Sequence, residues 1–221
     1  MTRRRRILCG VGFLILGGLV LWGCAASKTY LLNLKYDPSG TPVYVSRFAK
    51  PVTIAVYKFQ DVRADQQYLG RRVYRDGMVD FFKPDAGTVE SITAKSVAKT
   101  LEAAGFKVTF VNRYLNPDQD DFKDIPADAA VGGTIEILWV EAKTGRVTTD
   151  TDVTLRIQVV WGLPHHRMWI KKSISGSAQE TDRPFYKPKY AEAKINEVFK
   201  DSVDKLLKDD SQLQEKLIKK E

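Results

Sequence analysis

The chain is 221 residues long, enough for one domain with a substantial core, and 28% of it is charged, with a formal net charge of +8. Four of the cations stand together as Arg3, Arg4, Arg5 and Arg6; without that cluster the balance is +4, and the other basic residues are mixed among 27 acidic ones. No Lys/Arg block interleaved with aromatics is left to line a nucleic-acid groove, so that class of partner is excluded.

Behind the arginines runs an uncharged, mostly apolar stretch from Ile7 to Gly23. This is the layout of a secretory signal, with the charges held on the cytoplasmic side and a small residue at the cut. Leu21-Trp22-Gly23-Cys24 resembles the lipobox of bacterial lipoproteins, whose signal peptidase cuts before the cysteine once its thiol carries diacylglycerol. Cys9 leaves with the signal, so Cys24 is the one mature cysteine and has no disulfide partner within the chain. Acylation consumes a thiol that would be a liability in an oxidising compartment. The competing reading is an uncleaved span, since about eighteen apolar residues just cross a bilayer, although the glycines in this run weaken such a helix. Ala25, where inner-membrane retention in enterobacteria-like sorting uses Asp, places the resemblance with outer-membrane lipoproteins. The expected organisation is a signal over 1–23, a lipid anchor and irregular lead over 24–50, and one domain over 51–221.

Within the lead, Tyr30 to Leu34 is a candidate short strand, and Pro38, Ser39, Gly40 and Pro42 interrupt regular structure after it. Val52 to Phe59 has the β-rich composition of a first core strand. From Thr88 to Ala104 the period changes: Val89, Ile92, Val97, Ala98 and Leu101 recur at helical spacing, Thr88 is the expected N-cap and Gly105 the closing residue. Phe106, Val108 and Phe110 alternate as a strand, and the Asp- and Pro-rich stretch from Asn112 to Ala129 reads as a solvated loop.

Three further strands form a meander. Ile135, Ile137 and Trp139 share one face of the first; Val153, Leu155, Ile157, Val159 and Trp161 alternate with polar residues in the second; Met168, Ile170 and Ile174 mark the third. A last helix carries the stripe Ile195, Val198, Phe199, Ser202, Val203, Leu206 and Leu207, and Leu213 and Leu217 extend or fray its end. Together these predict an α+β two-layer sandwich, a mostly antiparallel sheet with two amphipathic helices on one face.

This order of parts resembles the YajG-like outer-membrane lipoproteins. The matching residues are Asp61 and Arg63 in an Asp-x-Arg after the first strand, Gly70 beyond it, the segment Leu101 to Val108, and Trp139 to Gly145. A looser kinship in shape is with auxiliary lipoproteins of ABC-type lipid transporters and with the lipopolysaccharide-assembly lipoprotein that plugs a barrel. The resemblance implies a non-catalytic binding or scaffolding accessory of the cell envelope, lipid-anchored at the periplasmic face of the outer membrane, or else a lipid-handling transport subunit. It implies membrane and envelope-protein partners, a lipid or peptide ligand, and no cofactor beyond the covalent lipid on Cys24.

Chemistry-bearing patterns elsewhere are thin. Ser96-Val97-Ala98-Lys99 and Lys143-Thr144-Gly145 match two short motifs of penicillin-binding proteins, but Ser96 falls in mid-helix and the Ser-Asp-Asn motif is missing. His165 and His166 are adjacent in a turn, and the aspartates at 118, 120, 121 and 124 lack the glycine and closing glutamate of a calcium loop, so no catalytic residue and no metal site is expected. Asp61 and Arg63, two apart on a strand, share a face and either tie down the adjoining loop or meet a partner. Trp139, Trp161, Trp169, Phe185 and Tyr186 are core or, failing that, a cradle for an acyl chain or peptide between sheet and helix.

Overall fold

The computed structural model of the protein describes residues 27–38, 52–181 and 185–208. Leu21, Trp22, Gly23 and Cys24, with the rest of the expected signal, lie outside the described residues, as do Leu213 and Leu217. Within them the elements are β1 Thr29–Leu32, β2 Thr53–Asp61, β3 Gly70–Val73, β4 Val79–Pro84, α1 Val89–Ala103, β5 Lys107–Tyr114, β6 Ala129–Thr144, β7 Thr149–Leu163, β8 Met168–Glu180 and α2 Pro188–Lys208. Among these residues no helix is long and apolar enough to cross a membrane.

The sheet is forked. The meander β6-β7-β8 forms a long antiparallel ribbon, and β7 occupies one edge of β6 from Ala130 to Thr144. The other edge is shared by two strands in line: β2 runs parallel to Ala129–Ile135, and β3 runs parallel to Val140–Lys143. One blade continues outward as β5, parallel to β2; the other continues as β4, antiparallel to β3, and then β1, parallel to β4. The α+β class is as expected, and the longest pairings are antiparallel. The parallel pairs belong to the blades, where α1 supplies the long crossover that a parallel β5 needs.

Both helices cover one face. Thr88 caps α1 by accepting the Ser91 amide at 3.3 Å, and Gly105, at φ +93°, closes it. Ile54, Val56, Leu138, Val140, Leu155, Ile157 and Trp161 face the helices, and every residue of the predicted α2 stripe is buried. Gly176 lets α2 lie close to β8, since a Cβ there would overlap the Ser202 hydroxyl and press on Val198.

Three expectations are corrected. In β6 the register shifts between Ile135 and Ile137, and this bulge reverses the phase of alternation. Leu138, Val140 and Ala142 are therefore buried while Ile137 and Trp139 turn to the other face. The 112–129 segment is not simply solvated: Leu115 and Ile125 are buried against Ala55, Tyr57 and Ala130 on the second face of the sheet, and Phe122 stacks on Trp169 with ring centroids 4.8 Å apart. That cover explains why β2 is apolar on both faces.

The third correction concerns the lead. Its described part, residues 27–38, belongs to the domain. β1 joins the sheet, and Leu32, Leu34 and Tyr36 are buried in the main core. The backbone beyond β1 laces along α2, with Asn33 N donating to Glu192 Oε2 and Lys35 N to Asn196 Oδ1. Tyr36 Oη donates to the buried Asp204 at 2.7 Å and lies 2.6 Å from Thr100 Oγ1, joining lead, α1 and α2 in one network.

Candidate functional site

The Asp-x-Arg sits where the sheet forks. β2 leaves β6 after Asp61, opposite Ile135, and β3 takes over at Gly70, opposite Val140. Between them the chain loops outward, which would leave the backbone of β6 unpaired across the gap, at a cost for buried polar groups. Arg63 fills it. Its Nη1 donates to Leu138 O at 3.2 Å and Tyr68 O at 2.9 Å, its Nη2 to Asp61 Oδ2 at 2.8 Å and Gln66 O at 3.2 Å, and its Nε to Asp61 Oδ1 at 2.9 Å. All five N–H groups of the guanidinium thus have acceptors, and the ion pair with Asp61 is buried. Gly70 completes the join, because a Cβ there would collide with the Val140 carbonyl. In this arrangement the pair has no hydrogen bond left to offer a partner.

The other residues singled out from the sequence are scattered. Ser96 is buried, and its Oγ donates to Ile92 O within α1 at 2.8 Å, a bond that leaves it facing its own helix. Lys143, Thr144 and Gly145 lie at the β6–β7 hairpin, in the other blade's half of the sheet. His165 Nε2 lies 3.4 Å from Asp128 Oδ1 beside the β7–β8 turn. Among the described residues no three His, Cys, Asp or Glu side chains converge as a metal site. Trp161 is core and Trp169 belongs to the second-face cluster, whereas Phe185 is 90% exposed.

Tyr186 joins a polar cluster near the outer end of β3. Arg72 Cζ stands 4.6 Å from its ring centroid and 4.3 Å from that of Tyr74. Arg72 also donates to Thr144 Oγ1 at 2.9 Å, and Tyr74 Oη donates to Asp80 Oδ2 at 2.6 Å. Burial pushes the Tyr74 phenol up to about 12, helped by its bond to Asp80 and opposed by Arg72. Burial likewise pushes Tyr186 up to about 12, against the pull of the Thr151 hydroxyl and Arg72.

Two open clefts flank the β2–β5 blade. One, of about 690 Å³, is mixed in character, with Gln60, Arg113, Asn116, Gln158 and Lys171 beside Leu115, Val159 and Val160. Arg113 there is engaged by Asp120 and lies over the Tyr57 ring. The other, of about 430 Å³, is mainly apolar and lies between β5 and the first half of α1, lined by Val56, Phe59, Ala94, Phe110, Val111 and Tyr114. β5 is the outer strand of its blade, so one backbone edge has no strand beside it among the described residues. Phe110 is 61% and Tyr114 53% exposed on that edge. The alternation around Phe106, Val108 and Phe110 marks a strand in the sequence, but carries no sign that its outer half lies open.

No protein-family model matches the chain, and no curated protein is similar to it in sequence. In shape it is similar to a protein described as a homolog of the neuraminyllactose-binding hemagglutinin, from Helicobacter pylori, with a TM-score of 0.43 and 13% identity over 85% of this chain and 98% of that one. It is also similar to the PelC dodecamer from Paraburkholderia phytofirmans, with a TM-score of 0.35 and 13% identity over 73% and 92% of the two chains. A third structure is lipoprotein GNA1162 from Neisseria meningitidis, with a TM-score of 0.36 and 13% identity over 67% and 98%. Likenesses at these scores carry nothing about binding or assembly, and the functional reading rests on this chain's own residues.

Proposed function

We propose that the protein is a lipoprotein, held by acyl chains on Cys24 at the periplasmic face of the outer membrane, which acts without catalysis as a binding or scaffolding accessory of the cell envelope. The observation that carries the binding role is the open edge of β5 beside the apolar groove under α1. An extended segment of an envelope protein would add to this edge as a further strand, its backbone pairing with β5 and its alternate side chains meeting Phe110 and Tyr114. Arg63 and Asp61 serve the framework in this reading, and Ser96 the interior of α1. The Asp61-Val62-Arg63 turn, Gly70 and the Trp139 to Gly145 segment, on which the resemblance to YajG-like lipoproteins rests, support an accessory of that kind.

The anchor is tested by intact mass of the full chain from bacterial membranes beside a Cys24→Ser variant. A diacylglyceryl mass beginning at Cys24, absent from the variant, is expected; an uncleaved precursor mass would replace the anchor by a membrane span. The binding edge is tested by photo-crosslinkers placed at Phe110 and Tyr114. Strand addition requires both to reach one stretch of one partner with the same spacing that separates them on β5, and adducts on unrelated sites would sink it. The apolar lining of the groove also favours a second reading, in which an acyl chain lies there and the protein is an auxiliary lipid-handling subunit of an ABC-type transporter. In that case lipid extracted from the purified protein would be lost on Phe110→Asp.

A further inference from the structure

The lead enters the sheet almost as soon as it leaves Cys24. Only Ala25 and Ala26 separate that cysteine from Ser27, whose Oγ donates to Val79 O, and Lys28 N donates to Asp80 Oδ1 at 2.9 Å. Three residue steps span at most roughly 11 Å. An acylated Cys24 would therefore hold one particular end of the domain against the lipid.

The strand directions say which end. β1 starts beside the start of β4, so Ser27 and Lys28 lie at the β3–β4 turn. β3 runs parallel to β6 and ends opposite Lys143, so the β6–β7 hairpin turn lies at the same end. Tyr186, packed on Arg72, brings Phe185 there as well.

This end has the chemistry of an interfacial surface. Phe185 at 90% and Val147 at 79% have the highest exposures among the large apolar side chains of the described residues, and Met78 adds a third at 40%. The β3–β4 turn and the hairpin carry Arg75, Lys143 and Arg146 against Asp76, whose Oδ1 is taken by the Met78 amide at 3.1 Å, and Asp150, which stands opposite Lys143. The 115–128 loop on the opposite half of the sheet has the reverse charge, with Asp118, Asp120, Asp121, Asp124 and Asp128 against Lys123.

We infer that this end docks on an anionic phospholipid leaflet, with Val147, Phe185 and Met78 entering the headgroup layer and Arg75, Arg146 and Lys28 meeting phosphates. This rests on the lipid anchor proposed above. So short a tether makes docking intramolecular, with an effective concentration in the millimolar range, so a patch too small to bind a membrane alone is enough to orient the domain. The acidic loop and the open edge of β5 belong to the other half of the sheet and then face away from the lipid.

The test uses the full chain, purified with its lipid, in vesicles of phosphatidylethanolamine and phosphatidylglycerol. Val147→Cys, Phe185→Cys and, on the far half, the exposed Lys123→Cys are each labelled with a nitroxide, Cys24 being blocked by its acylation. Spin relaxation by oxygen against an aqueous nickel chelate reads the depth of each label. The oxygen-to-nickel ratio is expected to be several-fold higher at 147 and 185 than at 123, and to fall at 147 in the Arg75→Glu background. An acylated protein whose labels at 147 and 185 are as accessible to nickel as that at 123 overturns the docking and leaves the anchor standing. A mass showing Cys24 unmodified overturns both. Arg146→Cys repeats the reading at the hairpin if the label at 147 disturbs the fold.

Discussion

Arg63 offers five N–H groups in a fixed fork and meets an acceptor with each, three of them carbonyls of a loop and a strand. A lysine there keeps the charge but cannot span the same set. Arg63→Lys is expected to lower unfolding stability by about 3 kcal/mol, and Asp61→Asn by a comparable amount, because each leaves a buried partner uncompensated. Urea titration of the two variants and their double mutant would show it; losses that simply add would mean the residues act separately. Tyr74 and Tyr186 give a second test. Both phenols are raised to about 12 in the folded protein, against about 10 in the unfolded chain. Between those values the native state holds protons that the unfolded state has lost, so this contribution to stability is complete below pH ~10 and disappears as pH rises toward 12. Phenolate absorbance should show Tyr74 and Tyr186 among the late-titrating tyrosines, with Tyr57, also raised by burial, and Tyr74→Phe should remove one of them. At this scale the sequence displays the Asp-x-Arg pair, but not the acceptors on Gln66, Tyr68 and Leu138, which chain spacing does not bring together.

Among the elements, those whose period is set by one buried face were legible. The α2 stripe and the β7 alternation both face the core along their whole described length, and Thr88 and Gly105 bound α1 as expected. β3 and β4 escape the sequence pattern because each is short and charged, although Asp76-Gly77 between them, with Gly77 at φ +87°, is a recognisable hairpin signal. The β6 bulge escapes it because Ile135-Glu136-Ile137 continues an unbroken alternation, and only pairing with β7 shows the register slip. Packing of α2 on the sheet depends on Gly176. Gly176→Val is expected to cost about 1–3 kcal/mol by forcing Ser202 and Val198 away, visible as a lowered thermal midpoint with the strand signal retained. A neutral outcome would mean that α2 shifts freely on β8.

For the molecule as a whole, the described lead is the part whose role changes most between sequence and structure. Leu32, Leu34 and Tyr36 are buried in the main core, and each contributes about 1.5–3 kcal/mol, a sum comparable with the whole stability of a typical domain. A protein begun at Pro51, where the expected domain boundary falls, should therefore fail to fold cooperatively, whereas one begun at Ser27 should unfold in a single transition. Circular dichroism during urea titration separates the two, and a stable, cooperative shorter chain would show the lead to be an accessory.

The sequence by itself determined the charged and apolar layout before Cys24, the helices and long strands, the α+β class and the polarity of the Asp61–Arg63 pair. Each of these is a matter of composition or of period along a few turns of chain. The tertiary structure alone decided that β2 and β3 share one edge of β6, that Arg63 closes the gap between them, that β5 ends its blade among the described residues and that the described part of the lead enters the core. Those outcomes depend on which distant segments bury one another, and local pattern does not encode that choice.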